Sequence, residues 1–288
     1  MSLNNFIPTV WAARLLENLN DAHVYVNLLN RDYEGDIGGA GDTVKINSIG
    51  RVAIGTYTKN TDIAAAETLD DSQMMLIIDQ QRYFHFQVDD VDKAQQKPKV
   101  MTEAMREAAW GLSDAADAAV ATALEAGVAT LAPDNTLTAA TAVGTGATNQ
   151  DAYEILVDLG VKLDESNAPQ DKRWVVVPPW FYGMLLKDPR FVSFGTAQNL
   201  DRLKNGQIGE AANFIVAKSN NVPLSGAAYT VIAGHSKAAT FAEQIPASAV
   251  EAYRPQLRFS DAVKGLHVYG YKVTRPYALA SIVCTQAT

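Results

Sequence analysis

The residues best suited by type and spacing to covalent chemistry are Gly234-His235-Ser236-Lys237-Ala238, directly after the alternating run 229–233. A serine held on a sharp turn after a strand can act as a nucleophile. It needs a histidine to take its proton and a carboxylate to orient that histidine. Asp261 and His267 lie downstream and complete the order Ser, Asp, His. The run 229–233 predicts the strand, and an alanine-rich run comes after the turn.

The pentapeptide resembles the nucleophile elbow of α/β-hydrolases, with alanine replacing the last glycine. Two features oppose that chemistry. Asp261 and His267 are a short step apart, with no strand and helix between them to spread them around a serine, and no HGGG-type oxyanion segment lies upstream. Ser236 is therefore expected in a turn, or capping the alanine-rich run beyond it. No catalytic residue is assigned, and the expectation is that the chain is not an enzyme.

Metal and cofactor chemistry find no better footing. His23, His85, His235 and His267 are scattered, and neither HExxH nor CxxC occurs, so no metal site is expected. Gly144-Thr145-Gly146 lacks the Gly-Lys-Ser/Thr of a phosphate loop and reads as linker, so no cofactor is expected. Lys93, Lys97 and Lys99 sit beside Asp89, Asp90 and Asp92, a mixed surface. The net charge of −8 argues against tight phosphate binding, which needs clustered Lys and Arg. The single cysteine, Cys284, rules out an internal disulfide and fits a reducing compartment. No apolar run approaches the roughly 18–20 residues that span a bilayer, and the N-terminus lacks the pattern of a secretion signal.

The elements that would position any site are clearer. Residues 98–131 form an uninterrupted helical pattern, with Met105, Ala109, Leu112, Ala116, Val120, Ala123 and Gly127 on one face. Glu103, Glu107, Trp110, Asp114, Asp117 and Glu125 recur on another. Those carboxylates span many turns and cannot converge on one ion, so they read as a solvated or partner-facing stripe. At 1.5 Å per residue this helix is roughly 45–50 Å long, a spine for everything else. Trp11, Leu15, Leu19, Ala22, Val26 and Leu29 predict a second amphipathic helix, either docked or reaching to a neighbour.

After Gly38, Gly39 and Gly41, Val44 and Ile46 begin a strand, and the run 74–88 alternates back with Phe84, Phe86 and Val88 on one side. Together they predict a long β-hairpin, which is marginal alone and must lie against something else. Residues 133–149 read as a boundary. Beyond it the pattern is mixed: a helix at 151–163, a buried strand at 174–177, a helix at 180–187, a loop at 188–209 and strands at 214–216 and 229–232. The tail returns to β character on either side of Arg275-Pro276 and is expected to rejoin the spine.

This order resembles the major capsid proteins of tailed bacteriophages, with the Hong Kong 97-type (Johnson) fold. Arg31-Asp32-Tyr33-Glu34-Gly35 leading to Gly41-Asp42-Thr43-Val44 looks like the start of that family's extended E-loop. Ile208-Gly209, the strand 214–216 and Ser219-Asn220-Asn221-Val222-Pro223 look like its axial-domain strand and turn. Phe259-Ser260-Asp261, Gly270-Tyr271-Lys272-Val273 and Arg275-Pro276 look like its closing strands. The resemblance implies an α+β fold with an N-terminal arm (1–41), an E-loop hairpin (42–90), a peripheral domain with the spine (91–148 and 245–288) and an axial domain (149–244).

It also implies self-assembly, as pentamers and hexamers, into the icosahedral shell of a tailed double-stranded DNA phage. The shell would be built in the host cytoplasm and enclose DNA without sequence-specific binding. A portal and a decoration protein are implied partners. A separate scaffolding protein is expected because the arm begins almost at Met1. Lys59 lies near the hairpin tip, but no asparagine partner is identifiable and no cross-link is expected. An encapsulin-like compartment shares the fold and is the alternative; a soluble hydrolase using Ser236 is the alternative from another class. The hairpin is expected to supply intersubunit adhesion through groups such as Phe84 and Phe86. The stripe of Glu103, Glu107, Asp114 and Asp117 is expected to face the interior or a scaffold.

Overall fold

The computed structural model describes residues 23–33, 43–49, 71–89, 100–130, 135–146, 148–188, 209–244, 250–257 and 259–287, together with 56, 57, 59 and 62. The glycines at 35, 38, 39 and 41, the mixed-charge cluster at 93–99 and nearly all of the 188–209 loop lie outside the described residues.

The spine is a 30-residue helix, α1, Val100–Ala129. Ala109, Leu112, Ala116, Val120, Leu124 and Val128 form its buried line, at steps of three and then four. The sequence pattern tracks that line as far as Val120. Beyond it the burial passes to Leu124 and Val128, while Ala123 and Gly127 are only half-buried. Gly127 instead lets β-strand side chains close in: a Cβ there would lie 2.8 Å from Val273 Cγ2.

Thirteen strands occur in chain order among the described residues: β1 Thr43–Ile49, β2 Asp71–Ile77, β3 Gln80–Asp89, β4 Thr136–Thr138, β5 Arg173–Val177, β6 Glu210–Ala211, β7 Phe214–Lys218, β8 Leu224–Ser225, β9 Ala228–His235, β10 Ala239–Gln244, β11 Val250–Tyr253, β12 Ser260–Val273 and β13 Leu279–Thr285. Two shorter helices are α2, Ala152–Glu165, and α3, Pro179–Lys187. Pro179 in the first turn of α3 loses no helical hydrogen bond there.

The seven-stranded sheet runs β4-β13-β9-β5-β7-β6, with β8 beside β9. Its central strand β5 is buried at every residue, as its unbroken valine run requires. Trp174, Phe181, Phe214 and Ile155 fill the core between this sheet and α2 and α3, continuous with Leu124 of the spine. The four-stranded sheet is built on the 14-residue β12. β10 and β11 pair along one edge of it, and β3 along the other. The 133–149 segment is more than a linker, since β4 pairs parallel with β13 and Val143 bridges to Gln150 and Gln286.

Two expectations are corrected here. The long return strand 74–88 is two strands: β2 pairs with β1 as a ribbon and ends at Ile77, and after Ile78-Asp79 the chain enters the other sheet as β3. Alternation persists across this break, because both halves have one face buried and one exposed. Phe84 and Phe86 therefore pack with Ala109, Met105, Val250 and Val263 of their own chain rather than waiting for a neighbour. The second correction concerns the arm. Residues 23–29 are not the end of an α-helix; Val26–Leu28 is a 3-10 turn. Residues 1–22 of that pattern lie outside the described ones.

The β6–β7 hairpin turns through Ala212 and Asn213, both left-handed at φ 48° and 65°. Such a two-residue turn favours Asn or Gly, and alanine there carries a Cβ clash of about 1–2 kcal/mol. Ala212→Gly is therefore expected to raise stability by about 0.5–1 kcal/mol, read as a higher unfolding midpoint in denaturant.

Candidate functional site

Ser236 lies in the turn between β9 and β10, so the motif is strand–turn–strand rather than strand–turn–helix. Its N–H donates to the Lys172 carbonyl at 3.3 Å. His235 does not serve it either: Nδ1 accepts the Lys237 N–H at 3.0 Å, and Nε2 stands 3.5 Å from Asp171 Oδ1. Burial holds the His235 imidazole below its usual value, against the opposing pull of Asp171. Val273 pairs with Ala239, next to the turn. His267 is about 20 Å back along β12 from Val273, and Asp261 about 40 Å. The three residues of the hydrolase reading are not brought together. The turn has a structural role instead, because it carries the chain from one sheet to the other. The return crossing at Thr274 and Arg275 is tied to it, both N–H groups donating to the Ala238 carbonyl at 2.9 Å. Burial pushes the Cys284 thiol up to about 12, so it has no thiolate character at neutral pH. Among the described residues, no group of three His, Cys, Asp or Glu could hold a metal ion.

The polar residues that do converge hold the arm. Asp117, on α1, accepts the N–H of Val24 at 2.6 Å and of Val26 at 3.3 Å. Two backbone N–H groups of this segment are thereby bonded to a side chain rather than within an α-helix. His23 Nδ1 lies 2.9 Å from Ser113 Oγ and 3.5 Å from Asp117 Oδ1, while Nε2 lies 3.6 Å from Glu243 Oε2. Glu243, on β10, also meets His267 Nε2 at 2.9 Å and the Arg31 guanidinium. Asn30 bridges to Thr240, so the arm continues alongside β10. Tyr25, Val26 and Leu29 enter the main core next to these contacts.

The stripe on α1 is corrected accordingly. Glu103, Glu107 and Trp110 are exposed, but Asp117 is buried, Asp114 accepts from Asn221 Nδ2 at 2.7 Å, and Glu125 accepts from Thr230 Oγ1 at 2.8 Å. Nothing local in the sequence marks the arm anchor. Its members come from positions 23, 31, 113, 117, 243 and 267, and only the presence of histidines in an apolar context hints at it.

The ribbon is anchored by packing rather than charge. Val44, Ile46, Leu76 and Ile78 bury against Ala242 and Val268. Gly270 lets the ribbon base approach, since a Cβ there would be 2.4 Å from the Ile77 carbonyl oxygen. The opposite face of the ribbon exposes Met75 and Ile77. Elsewhere Tyr83, Leu257 and Phe259 are 79%, 97% and 82% exposed. Large apolar groups left in water suit contact with other chains.

A rigid two-sheet body around a long spine, with an arm and a ribbon seated at their bases, defines an α+β shell subunit of the Hong Kong 97-type capsid fold. Residues 75–282 match the sequence model of a phage capsid protein family, and the chain belongs to that family. A solved chain of Mycobacterium phage Che8 is similar at TM-score 0.67 and 29% identity, with 90% of each chain covered. The capsid of the cyanophage P-SCSP1u is similar at TM-score 0.68 and 15% identity, covering 92% of this chain and 89% of that one. A virus-like particle from Pyrococcus furiosus is similar at TM-score 0.54 and 13% identity, covering 94% and 96%. No curated protein matches the sequence. The protein is a major capsid subunit, a component of the virion shell that self-assembles with copies of itself.

Proposed function

We propose that the chain forms rings of five and six, which close into an icosahedral shell around double-stranded DNA held without sequence-specific contacts. The observation that carries this reading is the dedicated seating of two appendages. The ribbon rests over Val268 and Gly270, and the arm on Asp117 and Glu243, so each can reach outward from a fixed base. Closed shells need one chain to make similar contacts in slightly different settings, and a rigid body with jointed extensions meets that need. The net charge of −8 suits a wall that does not hold phosphates tightly.

In this reading residues 1–41 are the arm and 42–90 the ribbon with its return strand. Residues 91–148 and 245–288 form the peripheral domain, and 149–244 the axial one. The two sheets are the supporting frame, with β10 and β13 stitching the domains together. A scaffolding protein, a portal and a decoration protein are the partners, and assembly takes place in the host cytoplasm. Glu107, together with Glu103, which is paired with Arg106 on the same exposed face, is the part of the acidic stripe that a basic scaffold segment would meet.

The test is removal of the ribbon's far end. A chain lacking residues 54–65 is expected to stay folded by circular dichroism yet sediment as small species, with no shells in negative stain. Undiminished shell formation would overturn the reading of the ribbon as the adhesive element.

A further inference from the structure

We propose that His23, Arg31, Asp117, Glu243 and His267 form a proton-operated clamp, which holds arm residues 23–31 on the body at acidic to neutral pH and loosens them as the solution becomes alkaline. The proposal rests on the reading of the arm as an assembly element, but its test does not use assembly.

Charge balance is the first reason. Asp117 and Glu243 are two carboxylates only 2% and 6% exposed, and a buried pair of like charges is unfavourable without compensation. Arg31 is a permanent cation and meets Glu243. It neutralises one carboxylate, so a second positive charge must come from an imidazole. His23 lies within 3.6 Å of both carboxylates, and His267 touches Glu243 at 2.9 Å.

The groups facing the cluster come from every element packed on it. The spine contributes Asp117 and Ser113, and β10 contributes Glu243 with the Phe241 ring, 6.0 Å from His23. β12 contributes His267 and Tyr269, their rings 4.9 Å apart. β3 places Arg82 opposite His267, with its side chain exposed to water. The arm adds Tyr25, whose phenol burial pushes above its ordinary value. None of these supplies a further buried cation.

The direction of each titration agrees. Burial alone would lower His23, but the two carboxylates that face it, Asp117 at 3.5 Å and Glu243 at 3.6 Å, outweigh it and raise the imidazole above 6.5. Burial alone would raise Glu243, but His23 and His267 overcome it and bring the carboxyl down to about 2. A raised histidine contributes stability that is complete below 6.5 and lost as pH rises through its folded value. A lowered carboxyl contributes stability present above 4.5 and lost only as pH falls toward 2. The clamp is thus closed between about pH 4.5 and 6.5 and opens on the alkaline side. Because its contacts join the arm to three elements that also pack on one another, release of the arm leaves both sheets intact.

Hydrogen exchange by mass spectrometry on the full chain, between about pH 5.5 and 9 and corrected for intrinsic exchange, tests this. Peptides spanning 23–31 are expected to lose protection severalfold as the pH rises, with a midpoint above 6.5. Peptides of β5 and β9 should not change. His23→Gln should abolish the step, and Ser113→Ala should weaken protection without moving its midpoint. Should His23→Gln fail to fold, Glu243→Gln provides the second arm: it removes the charge that needs balancing and should flatten the step. Wild-type protection that stays constant over the whole pH range, or a step that survives both His23→Gln and Glu243→Gln, would overturn the clamp.

Discussion

Gly270→Ala is expected to destabilise the protein by about 3 kcal/mol, the upper part of the overpacking range, and to abolish shell formation. The added Cβ would lie 2.4 Å from the Ile77 carbonyl oxygen and 2.8 Å from Ile78 Cδ1. The first neighbour is backbone, so no rotamer change relieves it, and the ribbon base must lift off β12. Lifting it uncovers Val268, Ala242, Leu76 and Ile78 together. Gly265→Ala makes the instructive contrast. Its Cβ would come even closer to an atom, Phe84 Cε1 at 2.2 Å, but that atom belongs to a half-buried ring that can swing aside. Its effect should be smaller than that of Gly270→Ala despite the shorter distance. Gly111→Ala, where no heavy atom lies within 4 Å, should stabilise the spine by about 0.5–1 kcal/mol. Thermal unfolding orders the three variants, and sedimentation reports shells. A Gly270→Ala protein with wild-type midpoint and normal shells would show that the ribbon base is not seated as described.

The range of the forces involved decides which features are legible in the sequence and which are hidden. The spine, α2, α3 and the valine strand β5 were legible because hydrophobic periodicity and proline placement act within a few residues. The break between β2 and β3 was not. Period-2 alternation runs through Ile78-Asp79 undisturbed, and only the identity of the pairing partner, β1 before it and β12 after it, separates the two strands. The α1 stripe shows a related limit. Glu107 and Asp117 share a residue class and a helix, yet one is exposed and the other buried. That difference is set by residues 23–26, more than ninety positions away, which no window over the helix contains. The serine motif failed for the opposite reason: the local pattern was present, but β12 keeps Asp261 and His267 far from it.

Asp117 therefore gives the sharpest test of whether the spine carboxylate anchors the arm or merely decorates the helix. Asp117→Ala removes the acceptor for the Val24 and Val26 N–H groups and one of the two carboxylates facing His23. Breaking a buried charged pair from one side costs about 3–5 kcal/mol when the remaining groups stay buried. Here they need not, because the arm can leave and let water satisfy them. The loss is then capped at the free energy that holds the arm, and it appears as local opening rather than global unfolding. The expected outcome is rapid protease cleavage within 23–31, while the body keeps most of its thermal stability. Glu107→Ala, on the exposed side of the same helix, should change stability by less than about 0.5 kcal/mol and leave the cleavage pattern untouched. Equal protease resistance in the two variants would mean that core packing of Tyr25, Val26 and Leu29 holds the arm without help from the carboxylate.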